Sequence, residues 1–255
     1  MAIVQEYFHQ GASFLHRADP RFKILAATAF ACTVAPDRSL AAPAWGLALG
    51  AACLILARLP LLLVAKRLVL VNAFTAFLWL VLPFSTPGAP VWTLGPLAAT
   101  AEGLRLAACI TLKTNAVLCV FIALVATSTV PALGHALHAL RVPGKLCHLL
   151  LFTYRYVHVI GEEYQRLATA ARMRGFTPRS NLHTWRTIGY MAAMVLVRSW
   201  DRAERVRQAM VLRGFSGRFH TLAPATASSG DRVFAACMLA ALCGLFWIES
   251  GYPLP

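Results

Sequence analysis

Acidic residues are scarce in this 255-residue chain: ten Asp and Glu stand against 24 Lys and Arg. Charge of either sign is thin, 13% of residues, where soluble domains carry about 25%. That excludes an ordinary water-soluble domain. The seven cysteines form no C-x-x-C, and most lie in apolar runs. They read as small hydrophobes rather than as a disulfide framework or a zinc site. No G-x-x-x-x-G-K-[ST] occurs. The nearest text, "RVPGKLCH" at Arg141–His148, lacks the leading glycine and places Leu146 after its lysine. A phosphate cradle needs both features, so any ATP hydrolysis has to be borrowed from another chain. No Ser/His/Asp or Cys/His set has a spacing that suggests catalysis. Glu6, His9 and Gln10 interrupt the first fifteen residues, so no cleavable signal peptide is expected.

What is present is apolar: 58% of the residues are hydrophobic. A helix needs about 20 apolar residues to span a bilayer. Five stretches qualify, some marginally: Phe22–Ala35, Ala41–Leu59, Leu68–Phe84, Leu104–Thr129 and Val233–Ile248. A weaker run, Leu146–Ile160, contains Arg155 and two histidines. It reads as interfacial or buried against other helices, with a membrane helix as the alternative. The expected fold is an all-α integral membrane protein with about five transmembrane helices (range four to seven). Two long cytoplasmic helices are expected in addition.

The positive charge has a location. Residues 141–232 hold 15 of the 24 basic residues against 5 acidic ones. Arg17, Arg21 and Lys23 precede or open the first span, and Arg58, Lys66 and Arg67 join the second to the third. The Pro- and Gly-rich connection Ser85–Gly103 carries no Lys or Arg. With five spans, every basic connection except that of Arg38 falls on one side. Lysine and arginine mark the cytoplasmic side, so the N-terminus and the 141–230 segment are expected there and the C-terminus outside. The expected organisation is a membrane bundle at 1–140, a cytoplasmic segment at 141–230 and a last membrane helix at 231–255. Part of the excess charge is ordinary attraction to lipid headgroups.

Within that segment one pattern is written twice, 39 residues apart. Its common form is acid-x-x-x-R-[LV]-x-x-A-x-x-x-R-G-F-[TS]-x-R. The first copy is Glu162, Arg166, Leu167, Ala170, Arg174, Gly175, Phe176, Thr177 and Arg179. The second is Asp201, Arg205, Val206, Ala209, Arg213, Gly214, Phe215, Ser216 and Arg218. Positions four apart share a helix face, so acid, arginine, alanine and arginine form one row. The acid precedes its arginine in the favourable order, worth about 0.2–0.5 kcal/mol per pair. Glycine then closes the helix in the left-handed conformation. Each copy therefore predicts a helix with a guanidinium at its tip, where the helix dipole favours a cation. A cap that merely touches lipid headgroups is the bland reading of one copy. Two matched copies imply a repeated receiver, most simply a two-fold symmetric partner. From Trp185 onward no Pro or Gly other than Gly189 interrupts the chain before the second tip. That predicts one helix of about 29 residues, roughly 43 Å long.

These residues resemble the transmembrane T component of energy-coupling-factor (ECF) transporters, a branch of ABC importers. "LVRSWDRAERVRQAMVLRGFSGRF", Leu196–Phe219, is most similar to the cobalt/nickel, CbiQ-like group. "HRADPRFK", His16–Lys23, matches the D-P-R-x-K that opens many T components, with Asp19 and Arg21 in it. The resemblance implies an all-helical scaffold with no cofactor of its own, in the bacterial inner membrane. It implies two partners besides lipid: an ATPase dimer and a metal-binding membrane subunit (the S component). It also implies that two coupling helices dock in the ATPases through Ala170, Arg174 and Gly175 and through Ala209, Arg213 and Gly214. Glu162, Arg166, Asp201 and Arg205 support those tips. The family's short form is Ala-Arg-Gly, whereas this chain has Met173 and Leu212 before the arginines. The small residue's role falls either to Ala170 and Ala209 or to Met173 and Leu212.

His135 and His138 stand at i,i+3 and could share a metal, but no Asp or Cys is near to complete a shell, so no metal site is expected. His148 and His158 are weaker candidates still. Lys113 and Asn115 are costly in lipid and are expected to face the bundle interior through interhelical hydrogen bonds or snorkelling. Two other functions compete. An integral membrane enzyme centred on the histidines or Lys113 predicts activity from the chain alone. A membrane-anchored nucleic-acid binder predicts steep salt dependence, yet the arginines lie in ordered repeats rather than a spread patch.

Overall fold

The computed structural model describes residues 11, 13–36, 39–88, 90–94, 97–215, 217 and 229–250. Arg38, Ser216, Arg218 and the last five residues lie outside them. The elements run α1 (Phe14–Arg17), α2 (Pro20–Val34), α3 (Ala41–Ala57), α4 (Leu61–Ser85), β1 (Pro90–Leu94), β2 (Leu97–Thr100) and α5 (Ala101–Leu124). Then follow α6 (Val130–Ala139), α7 (Gly144–Met173), α8 (Leu182–Leu212) and α9 (Ser229–Ser250). All five apolar stretches are helical. Leu61–Ser85, Ala101–Leu124 and Gly230–Trp247 are long and apolar enough to cross a bilayer, while apolar Ala41–Ala57 is shorter. The protein is an all-α membrane protein.

Two departures from the sequence reading concern element ends. The fourth apolar stretch stops being helical at Leu124 rather than Thr129: beyond it the Thr127 hydroxyl donates back to the Ala123 and Leu124 carbonyls, the Ser128 hydroxyl accepts from Lys23, and the Thr129 hydroxyl accepts from the Ala132 N–H at the start of α6. The Pro- and Gly-rich connection holds a short antiparallel hairpin, with Leu94 opposite Leu97 and Thr93 opposite Ala98. Its Val91-Trp92-Thr93 run favours the extended backbone.

The chain divides into two units, residues 6–136 with 225–255 and residues 137–224. In the first, α5 packs against α2, α3 and α4, and α9 packs against α2 and α3. Phe30, Val34, Ala116, Val120, Ala123 and Leu124 are fully enclosed there. A close helix contact follows from two glycines four apart in α3. A Cβ on Gly50 would lie 2.9 Å from Cys119 Cβ and 3.2 Å from the Ala116 carbonyl oxygen. On Gly46 it would meet the Phe30 ring at 3.0 Å. Small residues let membrane helices approach at backbone distance. Polar side chains join α4 to α5: Asn72 and Asn115 exchange amide hydrogen bonds at 3.1 and 2.9 Å, and Trp79 Nε1 donates to Thr111 Oγ1 at 2.9 Å. Lys113 Nζ donates to the Ala35 carbonyl oxygen at 2.8 Å, satisfying the end of α2. The interior roles expected of Asn115 and Lys113 are thus hydrogen bonds between elements.

In the second unit α7 has 30 residues and α8 has 31, each about 45 Å long at 1.5 Å per residue. The ambiguous run 146–160 is the first half of α7, continuous with the helix that carries the first tip.

Candidate functional site

The two repeat copies end their helices in the same way. At the first tip Arg174 is the C-cap (φ −87°, ψ 14°) and Gly175 is left-handed (φ +85°). The Phe176 N–H donates to the Ala171 carbonyl at 3.1 Å and the Gly175 N–H to that of Arg172 at 3.0 Å. At the second tip Arg213 is the C-cap (φ −89°, ψ 12°) and Gly214 has φ +76°. The Phe215 N–H donates to Met210 at 3.0 Å and the Gly214 N–H to Val211 at 2.9 Å. This crossed pair of bonds is the Schellman motif, which glycine permits because a side chain strains the left-handed position. Its hydrophobic contact is carried by the aromatic that follows. Phe215 lines the same cavity as Met210 and Val206.

Ala170, Arg174, Gly175, Ala209, Arg213 and Gly214 are all exposed. Nothing lies within 4 Å of a Cβ built on either glycine. Among the described residues neither Arg174 nor Arg213 has an ion-pair partner. Met173 and Leu212 are 84% and 88% exposed, so each tip also presents one apolar side chain to its surroundings. The alanines sit one turn back on the arginine row.

The supporting pairs differ between copies. Arg166 lies 3.7 Å from Glu162, as its spacing predicts, with both side chains exposed. Asp201 and Arg205 make no such pair among the described residues, a correction to the sequence reading. The second copy instead pairs Glu204 with Arg207 at 2.6 Å. Hydrogen bonds from Arg207 and then Gln208 hold the Glu204 carboxyl down at about 2.

The sequence reading missed Glu163. It sits where α7 meets α8, with its side chain largely covered. Arg198 donates to it directly, while Arg202 stands at 3.9 Å and Arg166 at 4.0 Å. The hydrogen bond from Arg198, then the charges of Arg198, Arg166 and Arg202, hold its carboxyl below the usual glutamate range. The partners lie 35 and 39 residues away in sequence, so no local spacing announces them. Beside this clamp, Phe152, Tyr156 and Ile160 of α7, Val206 and Met210 of α8, and Phe215 just past its end line an open apolar cavity of about 500 Å³. A depressed carboxylate stabilises above its ordinary value of about 4.3 and loses that effect as pH falls through the folded value. Spin labels on α7 and α8 are therefore expected to report a narrow distance at pH 7 that broadens only in acid, below the ordinary glutamate value. Glu163→Gln is expected to be broad at both pH values; an unchanged narrow distance in that variant counts against the clamp.

Asp19 and Arg21 have a different task from the tips. Asp19 is the N-cap of α2, and its Oδ1 accepts from the Arg21 N–H at 2.9 Å with Pro20 at N1. The Asp19 N–H donates to Asp231 Oδ1 in α9 at 2.9 Å. Lys23, wholly buried, donates to Ser128 Oγ at 3.1 Å and reaches Thr127 Oγ1 at 3.5 Å. The D-P-R-x-K text thus ties α2 to α9 and to the turn after α5, inside the membrane unit.

The cobalt transport protein family CbiQ matches residues 11–222. The chain belongs to that family. It is 30% identical to the cobalt transport protein CbiQ of Rhodobacter capsulatus, over 58% of this chain and 62% of that protein. It is 30% identical to an uncharacterized protein of Methanocaldococcus jannaschii, over 38% of this chain and 35% of that one. Against the energy-coupling factor transporter transmembrane protein EcfT of Brevibacillus brevis it is 30% identical over 81% of this chain and 82% of the relative. The match thus spans less than two thirds of the Rhodobacter and Methanocaldococcus relatives and most of the Brevibacillus one. The family is thus one of cobalt transport proteins, and the EcfT relatives are transmembrane proteins of energy-coupling factor transporters. The D-P-R-x-K stretch and the two tips at Arg174 and Arg213 fall inside the matched range.

Proposed function

We propose that this CbiQ-family chain is the coupling subunit of an ECF-type importer for cobalt or nickel ions. Its two tips, Ala170-Arg174-Gly175 and Ala209-Arg213-Gly214, dock in the two subunits of an ATPase dimer. ATP-driven closure of that dimer moves both arginines. The 30- and 31-residue helices behind them carry the motion to a membrane subunit that holds the ion. The chain lies in a bacterial inner membrane with its N-terminus and residues 141–230 cytoplasmic, following the lysine and arginine bias. The observation that carries this reading is the duplicated tip: two exposed arginines held on the same backbone geometry, with no ion-pair partner among the described residues. Arginine's planar fork suits a carboxylate-lined groove, and each fork can make two hydrogen bonds there.

The test is purification from the native membrane in mild detergent. An ATPase pair and a small membrane protein are expected to co-elute with this chain. Elution of the chain by itself from membranes that contain both would count against the proposal.

A further inference from the structure

The α6–α7 corner brings together two histidines that sequence spacing does not pair. By sequence spacing His138 stands nearest His135, three residues before it, and no metal site is expected of that pair. Its ring instead stands beside that of His148, with centroids 6.4 Å apart and planes inclined at 33°. The corner is built for this approach. The Val142 N–H donates to the Leu137 carbonyl at 3.1 Å and the Arg141 N–H to that of His138 at 3.1 Å, the same crossed pair that ends the two coupling helices. Here the left-handed position is held by Arg141, φ +65°, rather than glycine. A non-glycine residue there stores strain of order 1 kcal/mol, and such outliers cluster at functional sites. Pro143 caps α7 through Leu146 and Cys147. Gly144 leaves room for the rings: a Cβ there would lie 3.6 Å from His138 Cε1 and 3.9 Å from His148 Cε1.

We infer that His138 and His148 form a two-imidazole site for a first-row transition-metal dication, such as Cu²⁺, Ni²⁺ or Co²⁺. Tetrahedral ligation with metal–nitrogen bonds of about 2.1 Å sets the two nitrogens about 3.4 Å apart. Rings whose centroids are 6.4 Å apart must turn and close toward each other to reach that. The last turn of α6, where His138 sits, presents the negative end of a helix dipole, which favours a cation, while Arg141, Lys145 and the start of α7 oppose it. Among the described residues no three His, Cys, Asp or Glu side chains converge, so water completes the shell and exchange is fast. His138 is exposed and His148 half-buried, so the ion enters from solvent. The site belongs to this chain alone and does not depend on the coupling role.

The test is equilibrium dialysis of the purified full chain in detergent against Cu²⁺ and Ni²⁺ separately. One equivalent is expected to bind at this site, Cu²⁺ more tightly than Ni²⁺. His138→Ala and His148→Ala are each expected to weaken it by about tenfold or more, since each removes one of two protein ligands. His135→Ala is expected to bind as the unaltered chain does. Gly144→Leu keeps both imidazoles but wedges a side chain between them, and is expected to weaken binding as well. Thermal melting checks that the variants stay folded. No binding, binding indifferent to His138→Ala and His148→Ala, or an equal loss in His135→Ala would overturn the assignment.

Discussion

Reversing both tip arginines together, Arg174→Glu with Arg213→Glu, is expected to abolish ATPase co-purification and ion uptake while leaving the chain folded in the membrane. The folding half of the expectation comes from the caps. Each tip is closed by backbone hydrogen bonds and a left-handed glycine, and neither guanidinium takes part in them. Both arginine side chains are exposed, so a glutamate there meets water and buries nothing. The functional half comes from interface electrostatics. Losing one partner of a desolvated charge pair costs about 2–5 kcal/mol, and reversal adds like-charge repulsion. With 1.4 kcal/mol per tenfold, each single reversal is expected to weaken docking by roughly 30-fold or more. The two sites grip one dimer, so the double variant loses avidity as well as contacts. Unchanged co-purification and uptake in the double variant would end the coupling account. Loss of protein from the membrane would instead show that the arginines stabilise the fold.

Lys23→Met is expected to be the most destabilising single change in the membrane unit. The ammonium is wholly enclosed, held by Ser128 and Thr127 and attracted by the charges of Asp231 and Asp19. Asp19 and Asp231 are themselves buried, and Asp19 Oδ2 has no hydrogen-bond partner among the described residues. Methionine fills a similar volume, so packing survives and the loss is electrostatic. Removing one partner from a buried charged cluster costs about 3–5 kcal/mol, because the remaining charge stays uncompensated. A fall in detergent melting temperature of several degrees is expected. Asp231→Asn in the same background is expected to recover part of it by removing one of the two buried carboxylate charges that Lys23 offsets. Equal melting of Lys23→Met and the unaltered chain would show that the cluster contributes nothing net.

The architecture was legible where the chain speaks locally. Every apolar stretch became a helix, and the uninterrupted run before the second tip became α8. The tips were legible for the same reason: cap, glycine and aromatic lie within six residues, so their bonds are set by neighbours in sequence. Glu163 was not legible, because its value comes from Arg198 and Arg202 across a helix crossing. The D-P-R-x-K text was visible as a motif but not as a knot, since its partners Ser128 and Asp231 stand more than a hundred residues away. His138 looked toward His135 along the chain, and the corner at Arg141 turned it to His148. The expected Asp201–Arg205 pair did not form among the described residues, where Glu204 and Arg207 pair instead.

Sequence by itself determined which segments are helical and apolar, where the positive charge lies, and that two helices end on an arginine followed by a left-handed glycine. Those properties depend on the period of the backbone and on the conformational range of single residues. Tertiary structure decided which of the charged and polar groups meet: Glu163 with Arg198, Lys23 with Ser128, Asn72 with Asn115, His138 with His148. Coulombic and hydrogen-bond energies fall off within a few ångströms, so only the packed chain, bringing distant residues to that range, could choose among the partners the sequence offered.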